Sequence, residues 1–228
     1  MDAVLLDAYG TLVTLDAPVP RLRALLAADG HDHTEEAVGA ALRAEVLHYR
    51  AHHDRGRDAA SLAALRRECA GVLAAALGGD APPPGRLADI LVAALRFVPF
   101  PDALPALHGL RDLGMRIGVV SNWDCGLGDV LDDLGIAPLV DAVAVSAIVG
   151  AGKPDAAIFH DALRRLGVPA RRALHCGDLP AADCAGARAA GVRAVLIDRA
   201  GGVTEGPCRR IRDLYELVEA CETCNRAS

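Results

Sequence analysis

The chain has 228 residues, 52% of them hydrophobic, which is enough to bury a substantial core as one enzyme-sized domain with an inserted subdomain. A formal charge of −6 is too mild to suggest a broad nucleic-acid or anionic-membrane surface, and no apolar run approaches the ~20 residues of a membrane span. Seven cysteines without a disulfide-framework spacing favour reduced thiols, and a first strand starting almost at Met1 leaves no room for a signal peptide, so a cytoplasmic protein is expected.

Val4, Leu5 and Leu6 suit a central parallel strand, and Asp7-Ala8-Tyr9-Gly10-Thr11-Leu12 follows at once. Ligands of open parallel sheets bind at the carboxyl ends of strands, which is where an α/β enzyme would place Asp7 as a nucleophile. Gly10 lets the backbone turn and Thr11 can fix the turn by hydrogen bonding.

Residues 16–97 differ in character, being rich in Ala, Leu and Arg with helical periodicity throughout. The apolar sets are Leu22, Leu25 and Leu26; Val38, Leu42, Val46 and Leu47; Leu62, Leu65, Cys69, Val72 and Leu73; and, beyond the break at Pro82-Pro83-Pro84-Gly85, Ile90, Leu91 and Leu95. A polar run from His48 to Asp58 reads most simply as a solvated helix end and loop. Two other readings remain: His48 and His52 share a helix face suited to a metal, and Tyr49, Arg50 or Arg43 could bind an anionic substrate group.

Beyond the re-entry linker Phe97-Val98-Pro99-Phe100-Pro101, strands and helices alternate. Ile117 to Val120 ends in Ser121-Asn122, with Trp123 beside it and then Asp124, which reads as a helix cap or, alternatively, as an acid facing the cleft. Val143 to Ser146 precedes Gly152-Lys153-Pro154-Asp155 and a helix from Pro154 to Leu166 that Gly167 closes. Ala173-Leu174-His175-Cys176 ends in Gly177-Asp178, with Asp183 beyond; a short helix over 185–190, a fifth strand over 192–197 and a terminal helix around Leu214, Leu217 and Val218 complete the chain. The alternation predicts a parallel sheet covered on both faces. Cys221-Glu222-Thr223-Cys224 lacks a second pair or a ligand His and reads as a chance pair in a frayed tail.

Lys153 has a compositional argument of its own: it is the only lysine among 24 basic residues, the rest being arginine. A compact ammonium contacts several oxygens in a way that a planar guanidinium does not copy.

In order and spacing, the segments at Asp7, Ser121, Lys153 and Asp178 to Asp183 resemble the motifs of the haloacid dehalogenase-like hydrolases, over nearly the whole chain. The resemblance implies an α/β fold with a Rossmann-like parallel core (residues 1–15 and 98–228) and an inserted α-helical cap (16–97) that closes over the cleft. It also implies Asp7 as nucleophile, Ser121 bonded to the transferred group with Asn122 close by, and Lys153 neutralising charge. Mg²⁺ would be held by Asp7, the Tyr9 carbonyl and Asp178, with Asp183 as a direct or indirect partner. Thr11 and Arg50 are the candidate substrate-binding residues. The implied partner is a small-molecule substrate, with no nucleic acid and no membrane, and the protein is expected to be a monomer or homodimer.

The motifs pull in two directions. Phosphatases of this family carry a second Asp, the general acid/base, two residues beyond the nucleophile; here that position is Tyr9, as in the 2-haloacid dehalogenases. Dehalogenases, however, work without metal, and Asp178 with Asp183 would repel Asp7 unless a cation were present. The phosphonate-cleaving members need a cap lysine, which this chain lacks. The reading is Mg²⁺-dependent hydrolysis of a small phosphate ester through an aspartyl phosphate. The alternatives are carbon–halogen hydrolysis through an aspartyl ester, and a catalytically weak protein that binds phosphorylated ligands.

Overall fold

The computed structural model describes residues 1–202 and 208–226. The chain divides into two compact units, Met1–Thr14 with Pro99–Ser228, and Leu15–Val98. In chain order, β1 (Ala3–Leu6) and β2 (Val13–Leu15) lead to helices α1 (Pro18–Ala28), α2 (Glu35–His52), α3 (Ala59–Leu77) and α4 (Pro84–Ala94), and the chain returns through β3 (Phe97–Pro99). Then come α5 (Ala103–Asp112), β4 (Arg116–Ser121), α6 (Leu127–Asp133), β5 (Ala142–Val145), α7 (Ser146–Val149), α8 (Ala156–Leu166) and β6 (Ala173–Gly177). The last elements are α9 (Gly186–Ala189), β7 (Arg193–Ile197), β8 (Arg209–Ile211) and α10 (Leu214–Arg226).

The first unit is built on a six-stranded sheet in the order β5-β4-β1-β6-β7-β8, parallel throughout. Strands buried on both faces read as continuous apolar runs, and Ala3, Val4, Leu5 and Leu6 of β1 are all fully buried. Leu6 lies opposite Val119 on one side and Cys176 on the other, so the loops after β1, β4 and β6 open at the same sheet edge. From β1 the strand order runs outward in both directions, the kind of switch point where such sheets bind ligands. On one face Leu5 and Val120 pack against Ile158, Phe159, Ala162 and Leu166 of α8. That helix starts at the Asp155 cap, whose side chain accepts the Ala157 N–H, and stops at Gly167 in the left-handed conformation.

The second unit is helical around Leu22, Leu26, Val38, Leu42, Leu65, Leu73, Leu87 and Leu91. Its helix starts follow local chemistry. The Thr34 side chain accepts the Ala37 N–H with Glu35 and Glu36 in the first turn of α2, favourable against the helix dipole. Asp58 and Ser61 cap each other at the start of α3, and Gly78 ends that helix at φ 81°. α4 begins at Pro84 itself, where a missing N–H costs nothing. Glu45 is the exception on the buried face of α2, and burial raises its carboxyl above the ordinary range.

Three expectations are corrected. The sheet has a further strand, β8, because Arg209-Arg210-Ile211 adds at its edge, where no apolar run is needed. The short helix expected over 185–190 is Gly186–Ala189, and a wide π-type turn over Pro180–Ala185 leads into it. The thiols are not all free: Cys184 and Cys208 form a disulfide. Cys221 is not in a frayed tail but fully buried on α10, since it falls on the apolar face with Leu214 and Leu217; the Cys224 side chain lies outside the described ones. Among the described residues no helix is long and apolar enough to cross a membrane.

Candidate active site

Asp7 is the first residue beyond β1, and its own N–H donates to the Cys176 carbonyl at 2.9 Å, which anchors it to β6. The turn that follows is tight: the N–H groups of Thr11, Leu12 and Val13 all donate to the Ala8 carbonyl, while Gly10 donates to the Val13 carbonyl. Gly10 has φ 85°, and a Cβ there would lie 2.4 Å from Asp178 Oδ2, so both conformation and space demand glycine. The turn leaves the Asp7 side chain only 8% exposed. Its Oδ1 accepts the Ala8 N–H at 2.7 Å and the Ser121 hydroxyl at 2.9 Å, and lies 2.7 Å from Lys153 Nζ. Among the described residues Oδ2 receives no hydrogen bond, which leaves it as the oxygen with lone pairs to spare.

Lys153 is buried between two carboxylates, its Nζ 2.7 Å from Asp7 Oδ1 and 2.7 Å from Asp183 Oδ1. Burial alone would strip its proton, but the charges of Asp7 and Asp183 outweigh that and raise its pKa. Burial pushes Asp7 above the ordinary carboxylate range, with Lys153 pulling the other way. Asn122 does not reach Asp7. Its side chain donates to the Lys153 carbonyl at 2.9 Å and accepts the Lys153 N–H at 2.6 Å, gripping the lysine loop as a second backbone would.

Asp183 projects from the π-type turn. Its Oδ1 takes Lys153 Nζ and His175 Nε2, at 2.7 and 2.9 Å, and its Oδ2 takes the Leu179 N–H at 2.9 Å. Burial would raise it, but Lys153 and the His175 hydrogen bond prevail and hold it well below the usual carboxylate range. Gly177 makes room for it, since a Cβ there would meet Asp183 Cγ at 2.1 Å. Asp178 is different: its Oδ1 is buried with no hydrogen-bond partner among the described residues, and burial together with the charges of Asp7 and Asp183 lifts it to about 6.

Oxygens of Asp7, Asp178 and Asp183 lie within 4.8 Å of one another. Three carboxylates around one orphaned, buried oxygen are a donor set for a hard divalent cation, so the residues fit Mg²⁺. The raised Asp178 gives a pH prediction with a definite sign. Below about 6 this group carries a proton that a cation must displace, so Mg²⁺ affinity should fall as pH drops through 6 and level off above 7. The metal-free fold should behave oppositely, because the ionised form is disfavoured in the fold and its cost is relieved as pH falls from about 6 toward the ordinary 3.8. Calorimetric Mg²⁺ titrations from pH 5 to 8 check the first statement, and metal-free denaturant titrations check the second.

The remaining candidates fall as follows. Tyr9 is exposed on the turn. Thr11 is fully buried, its hydroxyl has no partner among the described residues, and Arg199 donates to its carbonyl at 2.7 Å. The physical reason is the turn itself, which folds Thr11 under the loop. Arg50 sits exposed in the last turn of α2, in the helical unit. The His48 and His52 rings stack at 4.3 Å, and His48 Nε2 lies 3.8 Å from Glu68, which pairs bidentately with Arg55; among the described residues no metal-type cluster forms there. Asp124 caps the turn into α6 by accepting the Gly126 N–H at 2.8 Å, and stands two residues before Gly126, the helix's own N-cap position.

Two groups escaped the sequence reading. Arg199 clasps Asp102 through two 3.0 Å hydrogen bonds and lies over the Phe100 ring, bracing the Thr11 turn; such long-range pairing leaves no local pattern. His175, a lone polar residue inside an apolar strand, was the readable anomaly.

Residues 1–191 match the model of a hydrolase family described as haloacid dehalogenase-like hydrolase. The chain is 34% identical over 177 residues to the glyceraldehyde 3-phosphate phosphatase of Methanopyrus kandleri, covering 74% of this chain and 69% of that protein. Of several other curated relatives it spans about half the length or less, between 36% and 56%. Among solved structures, a HAD phosphatase from Thermococcus onnurineus is similar at TM-score 0.66 and 26% identity, covering 97% of this chain and 98% of that one. A 2-haloacid dehalogenase from Pseudomonas syringae pv. Tomato DC3000 is similar at TM-score 0.67 and 27% identity, covering 98% and 99%.

Proposed function

We propose that this chain, which belongs to the haloacid dehalogenase-like hydrolases, hydrolyses a small phosphate ester with Mg²⁺ through a phosphorylated Asp7. The observation that carries this reading is the acidic cluster, in which the Asp178 oxygen is buried and, among the described residues, unpartnered beside Asp7 and Asp183. A metal-free dehalogenase has no use for a third carboxylate at that place.

Asp7, Asp178 and the Tyr9 carbonyl would hold the cation, which would supply charge neutralisation for the transferred phosphoryl group. Asp7 Oδ2 attacks phosphorus, and the bond from phosphorus to the ester oxygen breaks as the new one forms. Lys153 and Ser121 hold the other carboxylate oxygen and so aim the attacking one. Water then cleaves the aspartyl phosphate, releasing inorganic phosphate and restoring Asp7. The residues of 15–98 would act as the cap that selects the substrate, with Arg50 a candidate for its anionic group.

A phosphate-release panel of small esters, run with Mg²⁺ and with EDTA, tests the reading; metal-dependent release is expected. A halide-release assay is its comparator, because Tyr9 at the acid position and the likeness to a 2-haloacid dehalogenase favour carbon–halogen hydrolysis as the second reading. Absence of phosphate with release of halide would reverse the order.

Tyr9 yields a prediction of its own. With no carboxylic acid at that position, alkoxide departure lacks its proton donor, a contribution of about 10²–10⁴-fold. Tyr9→Asp should therefore raise turnover of alkyl phosphates by about 10²-fold and barely change that of aryl or acyl phosphates, whose leaving groups need no acid. Equal effects on both classes, measured by initial rates, would contradict this account.

A further inference from the structure

His175 is wholly buried on β6, the strand beside the nucleophile's own, and its place in the chemistry has not been assigned. Its ring packs edge-on against Phe159 at 5.0 Å, which fixes its plane. Nε2 points at Asp183 Oδ1, 2.9 Å away. A carboxylate only accepts, so Nε2 carries the proton and donates it. The other nitrogen, Nδ1, is buried with no hydrogen-bond partner among the described residues. A position so enclosed would cost less with an apolar side chain, since an unpaired polar atom carries a desolvation penalty. The histidine is thus explained by what Nε2 does.

What Nε2 does is complete the immobilisation of Asp183. That carboxylate takes donors from three separate segments: His175 of β6, the Leu179 N–H of the following loop, and Lys153. Lys153 and His175 share one oxygen, Oδ1, so the histidine sets the side from which the ammonium must approach. The same ammonium then meets Asp7 Oδ1 at 2.7 Å. The hydrogen bonds run without a break from His175 through Asp183 and Lys153 to the nucleophile.

We propose that His175 is a positioning residue, which orients the Asp183 carboxylate and through it places the Lys153 ammonium against Asp7. It touches neither substrate nor the reacting oxygen. Asp183 on this assignment serves the lysine first, with its oxygens already supplied with donors, and leaves Asp178 as the acid whose buried oxygen awaits a partner.

The composition provides the test. Because Lys153 is the only lysine, protein labelled with ¹³C and ¹⁵N in lysine alone gives a single side-chain signal from the ion pair. The signal is read without metal or substrate, so failure of the phosphatase reading leaves this experiment intact. His175→Gln places an amide donor at nearly the reach of Nε2, His175→Asn holds the same amide too short, and His175→Leu removes it. The Gln variant should keep the lysine signal and most of the turnover. The Asn and Leu variants should shift the signal toward that of a mobile, solvent-exchanging lysine and lose about 10²-fold in kcat with KM little changed, the effect of misplacing a catalytic group by about 1 Å. If the Leu variant fails to fold, the Gln and Asn pair decides: the same lysine signal in both overturns the proposal. So does a Gln variant as impaired as Asn, or a Leu variant that folds and keeps the wild-type signal.

Discussion

Asp7→Asn is expected to leave no measurable phosphate release, a loss of at least about 10⁴-fold, the scale on which removal of a nucleophile acts. The substitution changes one atom of a carboxylate buried at the end of β1, so the fold should persist. Trp123, the only tryptophan, is buried beside Asn122 and reports that directly by its fluorescence. The unbonded oxygen is where the effect lies. Oδ1 is engaged by Ala8, Ser121 and Lys153, and an amide nitrogen in place of Oδ2 has no lone pair to attack with. Retained turnover in a folded Asp7→Asn protein would remove every aspartyl mechanism at once, for phosphate and halide alike.

Lys153→Met should damage both catalysis and stability. Turnover should fall about 10²–10³-fold, the usual consequence of losing a preorganised charge at the reacting centre. Stability should fall by about 3–5 kcal/mol, because taking one member from a buried ionic cluster leaves the others uncompensated. Here the stranded groups are Asp7 and Asp183, which without the ammonium face each other at low exposure. Both would then take up protons more readily in the fold than in the unfolded chain, so the variant should regain stability as the pH is lowered. Denaturant titrations of wild type and variant between pH 5 and 8 measure this; parallel curves across that range would show that the carboxylates do not interact through Lys153.

The sheet edge and its chemistry were legible because each motif follows an apolar run: Val4 to Leu6 before Asp7, Ile117 to Val120 before Ser121, and Ala173 to Cys176 before Asp178. In a parallel sheet the carboxyl ends of such strands lie at one edge. What each side chain does there was less legible. Asn122 grips the lysine loop, and Thr11 is folded under its turn, because hydrogen-bond partners are chosen by loops that no periodicity encodes. β8 was missed since an edge strand needs apolar residues on neither side, and Arg209-Arg210-Ile211 has none in sequence before its last residue. The π-type turn that carries Asp183 left no mark in the sequence, because nothing in Pro180 to Ala185 is periodic.

The strand order also bears on how the molecule comes together. β1 is the first strand along the chain but the third across the sheet, and its neighbours are residues 116–121 and 173–177. Until residues 116–121 have been synthesised, Ala3 to Leu6 is an apolar segment with no ladder partner, its other side waits for 173–177, and pairings over such separations form slowly. The helical unit at 15–98, whose contacts are local, has no such wait. A growing chain should therefore acquire its helices early and its nucleophile's setting late, with the N-terminal strand depending on chaperones or on simple concealment until the sixth strand emerges to hold it.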